Sequence, residues 1–171
     1  MQQGELIQQR GRWQLRFTRQ LAHSPDKVWR AISEPDHLKA WFPQTIVGDW
    51  TVGAPLKFVS KYGDFDGEVI AVDPPRLLEF RWGTDIIRLE VAAHSEGATL
   101  TLLDTIDQQG KAARDAAGWH VCLDALEDHL LGKPSSPESG DWKSLNAGYV
   151  ERFGAEASTI GPPAEVAGQQ Q

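Results

Sequence analysis

Sulfur is almost absent from this chain, which carries one cysteine, Cys122, and one methionine, Met1. A single thiol excludes an intrachain disulfide and suits a reducing compartment, so a cytoplasmic location is expected. Long apolar runs are missing as well. No stretch has the length of a membrane span, and the first residues lack the apolar core of a secretory signal, with arginine already at position 10. Membrane insertion is therefore not expected. Positive charge is in deficit: 17 basic residues face 24 acidic ones, for a formal net charge of −7. That balance disfavours a phosphate-backbone partner, and no nucleic acid is expected. Arg10, Arg12, Arg16 and Arg19 do cluster, and read as outward residues of a first strand. The sequence has no G-x-S-x-G elbow, phosphate loop, G-x-G-x-x-G or H-E-x-x-H. Its five histidines, His23, His37, His94, His120 and His129, are dispersed without ligand spacing. No catalytic set, metal site or cofactor is expected from these patterns.

Tryptophan, by contrast, is abundant: seven in 171 residues, a length that suits one domain with a real core. Met1–Gly4 reads as a frayed lead-in. Over residues 12–21, Trp13, Leu15 and Phe17 alternate with Gln14, Arg16 and Thr18, the period of a half-buried strand. Ser24-Pro25-Asp26 then opens a helix with a capping hydroxyl, a proline at the first helical position and an acid in the first turn. Residues 36–42 read as a second short helix carrying Leu38, Trp41 and Phe42 inward. From Thr45 to Ile106 the pattern is a β-meander, with Gly63-Asp64 and Gly83-Thr84 as tight turns and Asp73-Pro74-Pro75 as a break.

Residues 111–131 carry apolar side chains at helical spacing, with Ala112, Ala116, Cys122, Leu123, Leu126 and Leu130 on the face centred on Trp119. This long helix covers one face of the sheet. Gly132-Lys133-Pro134 stops it. A short amphipathic helix follows, with Trp142, Leu145, Tyr149 and Phe153 on one side, and reads as a brace on the domain's exterior. The expected organisation is one domain over residues 12–133, an extension over 134–154 and a tail without structure over 155–171.

Two acids interrupt this patterning. Asp104 shares a strand face with Leu100 and Leu102, and Asp115 lies about 40° from Trp119 on the helix, at roughly 100° per residue. Desolvating an unpaired carboxylate costs several kcal/mol. Each acid therefore either sits at a wet rim or serves as one of the few polar anchors of an apolar pocket.

The order of elements and the local motifs resemble the helix-grip, START-like (SRPBCC) superfamily, in particular its activator of heat-shock-protein-90 ATPase homologue-like branch. The residues that carry the resemblance are Pro25 and Val28-Trp29, Trp41-Phe42, Gly67-Glu68-Val69 leading to Asp73-Pro74-Pro75, Leu78 to Trp82, and Gly118-Trp119. The resemblance spans residues 12–131, and 142–153 are similar to that branch's C-terminal segment. It implies an α+β fold in which a curved antiparallel β-sheet wraps around a long C-terminal α-helix, with two short helices after strand one and a cavity between sheet and helix. The superfamily includes lipid carriers, hormone and allergen-type binders, polyketide aromatase/cyclases and co-chaperone domains, so fold sets a prior on function and no more. Eukaryotic activators carry a further N-terminal domain for which there is no room before Arg12, and ATPase stimulation is not expected.

On this reading the cavity wall holds Trp41, Phe58, Phe80, Trp82, Leu102, Asp104, Asp115, Trp119, Cys122 and Leu126. The leading expectation is a non-catalytic binding protein for a small apolar or aromatic, lipid-like ligand. One alternative is an aromatase/cyclase-like enzyme in which Asp104 or Asp115 shuttles a proton. The other is an interaction module with a protein partner, which calls for an exposed apolar patch around Tyr149 and Phe153.

Overall fold

The computed structural model describes residues 3–162. Its elements run β1 (Glu5–Gln9), β2 (Arg12–Leu21), α1 (Pro25–Ser33), α2 (Pro35–Leu38), β3 (Thr45–Val47), β4 (Pro55–Val59), β5 (Phe65–Asp73), β6 (Leu77–Trp82), β7 (Asp85–His94) and β8 (Gly97–Ile106). The long α3 (Ala112–Leu130) and α4 (Trp142–Phe153) follow, with single 3-10 turns at Gln109–Lys111 and Ala155–Ala157. All eight strands join one antiparallel sheet in the order β1-β2-β8-β7-β6-β5-β4-β3.

The sheet does not open at residue 12. Arg10 and Gly11 both take positive φ, 51° and 78°, which is what a two-residue hairpin turn of the favoured twist requires. That turn folds Glu5–Gln9 back onto β2 as an edge strand. Of the expected lead-in, Met1 and Gln2 lie outside the described residues, while Gln3 and Gly4 are held. The Gly4 N–H donates to the Tyr149 hydroxyl at 2.8 Å, and a Cβ at Gly4 would lie 2.4 Å from the Phe17 ring, so only glycine fits there.

Side-chain alternation sorts β2, β7 and β8 into an outer face and an inner one. Leu15, Phe17, Leu21, Ile87, Leu89, Val91, Leu100 and Leu102 are buried, and α3 supplies Ala116, Trp119, Leu123, Leu126 and Leu130 to the same core. Arg19 follows the inward parity of its neighbours and is only 3% exposed, so it is not an outward residue of the strand. The first helix forms as its cap predicts, the Lys27 N–H donating to Ser24 Oγ at 3.2 Å. The second is a single turn that ends at Leu38, yet Trp41 and Phe42 still turn inward and are buried. Here tertiary burial outweighs the weak stability of so short a helix. Trp41 Nε1–H donates to the Ala31 carbonyl at 2.9 Å, which ties the two helices together.

Gly132, at φ 75°, ends α3, and the Lys133 N–H reaches back to the Asp128 carbonyl at 2.9 Å. Asp141 caps α4 through the Ser144 N–H. α4 then lies along α3, with Tyr149 buried against Phe17 and His120. Of the two residues around which the sequence calls for an exposed apolar patch, Tyr149 is turned inward and Phe153 is half-buried with its ring 5.2 Å from that of Tyr149. The segment beyond α4 is also ordered in part: Ala157 is buried, and the Ile160 N–H donates to the Gly110 carbonyl at 3.0 Å. Sequence alone leaves 155–171 without structure; residues 155–162 instead pack beside the start of α3, and 163–171 lie outside the described residues.

Candidate functional site

Where the far end of β6 meets the first half of α3, sheet and helix diverge and leave a pocket of about 240 Å³. Trp82 enters from β6, while Asp115, Gly118, Trp119 and Cys122 line it from successive turns of α3. Pro43 and Gln44 close it from the loop after α2, Trp142 from α4 and Pro162 from the packed tail. The Trp82 and Trp119 rings stand 5.1 Å apart between centroids, and Trp82 Nε1–H donates to Gln44 Oε1 at 3.0 Å. Both indoles are thus held in place before anything binds. A second hollow of about 350 Å³ shares Pro43, Gln44, Gly118, Cys122 and Trp142 and continues the groove along α3. A wider hollow of about 730 Å³ lies on the outer face of the sheet among Gln14, Arg16, Thr18 and Thr101. It is open and polar, and no aromatic side chain lines it.

Of the ten residues expected on a cavity wall, Trp82, Asp115, Trp119 and Cys122 line the pocket. Trp41, Phe58, Phe80, Leu102 and Leu126 do not line it: they are buried at 1% exposure or less and fill the space beneath. Phe58 stacks on Phe65 and Phe80 at 5.2 and 5.8 Å, and Phe42 bridges that group to Trp119 at 5.7 Å. The inner part of the helix grip is therefore packed with rings, and the open space lies at its edge. Cys122 is buried, and burial pushes its thiol up to about 12, the mark of an inert wall residue rather than a nucleophile.

Asp104 is not at a rim. It is fully buried behind Trp119, whose Nε1–H donates to Asp104 Oδ2 at 2.9 Å. Beside it lie Asp85 and Asp115; one oxygen from each of the three falls within 4.8 Å of the others. Asp115 is the member that reaches the pocket, with its side chain 10% exposed and the Arg114 Nε–H donating to it at 2.7 Å. Asp85 accepts from Lys111 Nζ at 2.6 Å and from the Asp107 N–H at 3.3 Å, and Lys111 also pairs with Asp107 at 2.7 Å. Burial and the facing Asp85 and Asp115 carboxylates drive Asp104 well above the usual carboxylate range, against the smaller pull of the Trp119 N–H. Asp115 is also raised, by burial, although Arg114 opposes the rise. Burial alone would lower Lys111, but its bonds to Asp107 and Asp85 hold it above the ordinary lysine value. A divalent cation accepts such a carboxylate spacing, but here the Lys111 ammonium already sits against Asp85.

Asp85 and Lys111 were missed as site residues. The signal for Asp85 is the one that marks Asp104: Asp85, Ile87, Leu89 and Val91 share the inward parity of β7, so a carboxylate again stands where an apolar residue belongs. Trp142 and Pro162 carry no such signal, since only the docking of α4 and the tail brings them to the pocket.

Comparison with known proteins bears on the fold more than on the chemistry. A family model described as "Activator of Hsp90 ATPase homolog 1-like protein" matches residues 22–131. No characterised protein matches the chain by sequence. Among solved structures, a conserved protein of unknown function from Enterococcus faecalis superposes with a TM-score of 0.73 at 20% identity, covering 88% of this chain and 90% of its own. CalU16 from Micromonospora echinospora gives 0.71 at 18% identity, covering 92% and 97%. DynU16, from the dynemicin biosynthetic locus, gives 0.66 at 28% identity over 72% of this chain, which spans about half of that protein, 49%. Among the described residues no helix is long and apolar enough to cross a membrane.

Proposed function

The chain belongs to the Activator of Hsp90 ATPase homolog 1-like family, and from that premise we propose that its pocket takes a small apolar or aromatic molecule with one polar, proton-accepting end. The observation that carries this reading is the lining: three indole rings, Trp82, Trp119 and Trp142, form the walls, and Asp115 with Arg114 forms one end. Apolar walls with a few convergent polar groups are the usual composition of a ligand site. Flat rings stack on indoles, and Asp115, which accepts the Arg114 Nε–H at 2.7 Å, presents to the pocket a carboxyl whose neutral, hydrogen-bond-donating form burial favours.

Gly118 supplies the test. A Cβ there meets nothing nearer than Trp142 Nε1 at 4.0 Å, so a side chain can start at this position, and Gly118→Leu projects into the pocket that Gly118 lines and adds helix propensity. Native mass spectrometry of gently purified protein, with tryptophan quenching by flavonoids, polyaromatics and fatty acids, is expected to reveal a saturable ligand class that Gly118→Leu abolishes while its circular dichroism is unchanged. If no member of the panel binds, or if binding survives Gly118→Leu, the pocket is not the site.

A second reading is favoured by one feature, the raised acid in the pocket wall. Asp115 there can protonate a bound carbonyl or enolate, as a cyclase requires. The occurrence of DynU16 in a biosynthetic locus is consistent with either role. Asp115→Asn separates them, because a binder keeps its ligand and has no turnover to lose, whereas an enzyme keeps its ligand and loses turnover.

A further inference from the structure

Two oxygens in the acidic trio meet no donor. Asp104 Oδ2 takes the Trp119 N–H and Asp85 Oδ1 takes Lys111 and the Asp107 N–H, but Asp104 Oδ1 and Asp85 Oδ2 are both buried with no hydrogen-bond partner among the described residues. The two carboxylates each bring an oxygen within 4.8 Å of the other's, and two buried acceptors without a donor cost far more than one carboxylic O–H placed between the groups. The surroundings extend this pair in two directions. On one side Lys111 and Asp107 lead outward, the Asp107 side chain being 30% exposed. On the other Asp115 leads to the pocket. The remaining charged or polar neighbours are Arg114, which pairs with Asp115, and Thr84, whose hydroxyl lies 3.4 Å from Lys111 Nζ.

We propose that Asp85 and Asp104 share a single proton, and that with Lys111 and Asp107 they form a buried route by which Asp115 exchanges protons with solvent while a ligand covers the pocket. The shared proton stands on the trio alone; the last transfer, from Asp115 to a bound molecule, rests on the ligand-site reading above. Each hop breaks one bond to hydrogen and forms another. Asp115 O–H gives its proton to a basic atom of the ligand and becomes a carboxylate. The Asp104 O–H reprotonates it. The Lys111 ammonium, held above the ordinary lysine value, returns a proton to Asp85 only against the now doubly charged pair, which makes this the uphill hop, and the amine so formed recovers a proton from water beside Asp107. The net change is one proton moved from solvent to ligand, with no net change of charge in the trio.

The decisive experiment uses the ligand-free protein, so it fails or succeeds independently of whether the panel finds a ligand. Carbon-13 NMR of aspartate-labelled full-length chain, followed over pH, is expected to show the Asp104 carboxyl still protonated at neutral pH. Asp85→Asn removes the facing charge and is expected to lower the Asp104 midpoint by about one pH unit or more. Asp104→Asn is expected to keep the fold, because its amide can donate to Asp85 and accept from Trp119, and to abolish the late-titrating signal. An Asp104 that titrates as an ordinary exposed acid in the wild type overturns the proposal, as does a midpoint unmoved by Asp85→Asn. For the route, Lys111→Met is expected to slow the response of Trp119 fluorescence to a stopped-flow pH jump. An unchanged rate removes Lys111 from the path.

Discussion

On one flank of α3, Arg19 reaches across from β2 and lies between Asp124 and Glu127 at 2.8 and 3.0 Å, while His120 and the Tyr149 hydroxyl meet 2.8 Å apart beneath α4. On the other flank Asp85, Asp104 and Asp115 face one another with Lys111 and Arg114 at their margins. Both groups hold a buried charge, but water treats them differently. Asp124 and Glu127 are 39% and 37% exposed, so the carboxylates that serve Arg19 remain solvated, and the desolvation cost falls on the guanidinium, whose Nε and Nη2 are buried without a partner among the described residues and which cannot give up its proton. Asp104 and Asp85 are almost wholly enclosed, at 0% and 1%. There the cost is met by protonation instead. Enclosure without a second donor is what separates a reactive group from an anchoring one. A cation fed by rim acids anchors α3 and α4, whereas acids that must hold a proton beside an open aromatic pocket are able to pass one on.

The largest expected effect comes from the residue that joins pocket and trio. Trp119→Ala removes a ring packed on Phe42 and Trp82 and strips Asp104 of its donor, and is expected to cost about 3–5 kcal/mol in urea unfolding. Trp119→Phe retains most of the wall and leaves mainly the lost hydrogen bond, an expected cost of about 1–3 kcal/mol. A smaller gap between the two variants would mean that the Asp104 bond, not the ring, is the main support. Across the helix, Tyr149→Phe leaves the Gly4 N–H and His120 Nδ1 without their partner and is expected to cost about 1–3 kcal/mol with little effect on ligand binding. If that variant alters the pocket, the two flanks are not independent.

Stability against pH sharpens the contrast further. Because the folded chain holds Asp104 protonated above its unfolded value, this acid's favourable contribution is full below about pH 4 and is lost as pH rises from there through the raised folded value. Asp104→Asn has no such loss. The variant and the wild type are therefore expected to diverge as pH rises, with the variant the more stable at neutral pH, in urea melts at pH 4, 6 and 8. Parallel curves would place an ordinary, solvated acid at position 104.

How much of this was legible before the fold was known depended on whether the signal was local. Alternation along β2, β7 and β8, the Ser24-Pro25 cap and the Gly132 stop are all written within a few residues, and they formed as the chain predicts. Asp104 is conspicuous for the same reason, and Arg19 shares the inward strand parity of Leu15, Phe17 and Leu21, although its charge suggests the outer face. The edge strand Glu5–Gln9 was hidden because Leu6 and Ile7 are adjacent and break the alternation. The pocket was only half legible. Strand parity says that Phe58, Phe80 and Leu102 point inward, but whether inward space is empty or filled by Phe42 and Phe65 depends on contacts between distant segments. The same holds for Trp142 and Pro162, brought to the pocket by elements more than twenty residues away from the nearest residue of β6.

The smallest expected effect belongs to a third polar contact, at the opposite end of α3, where water does most of the work. His37 Nδ1 and His129 Nε2 lie 2.8 Å apart and can hold only one hydrogen between them, with Glu34 3.4 Å from His37 and Lys27 bonded to the Leu130 carbonyl nearby. Burial, His37 and Lys27 all lower His129. A base depressed in the folded state contributes fully above its unfolded value of about 6.5, and that contribution is lost as pH falls through the lower folded value. His129→Gln is therefore expected to lower stability slightly at pH 7.5, by about 0.5 kcal/mol, and to narrow the wild type's loss between pH 7 and pH 5. This slope is opposite in sign to that of Asp104, so thermal melts of both variants over one pH series separate the two groups. If His129→Gln leaves the acid limb unchanged, the pair is solvated well enough to exchange its shared hydrogen with water at no cost.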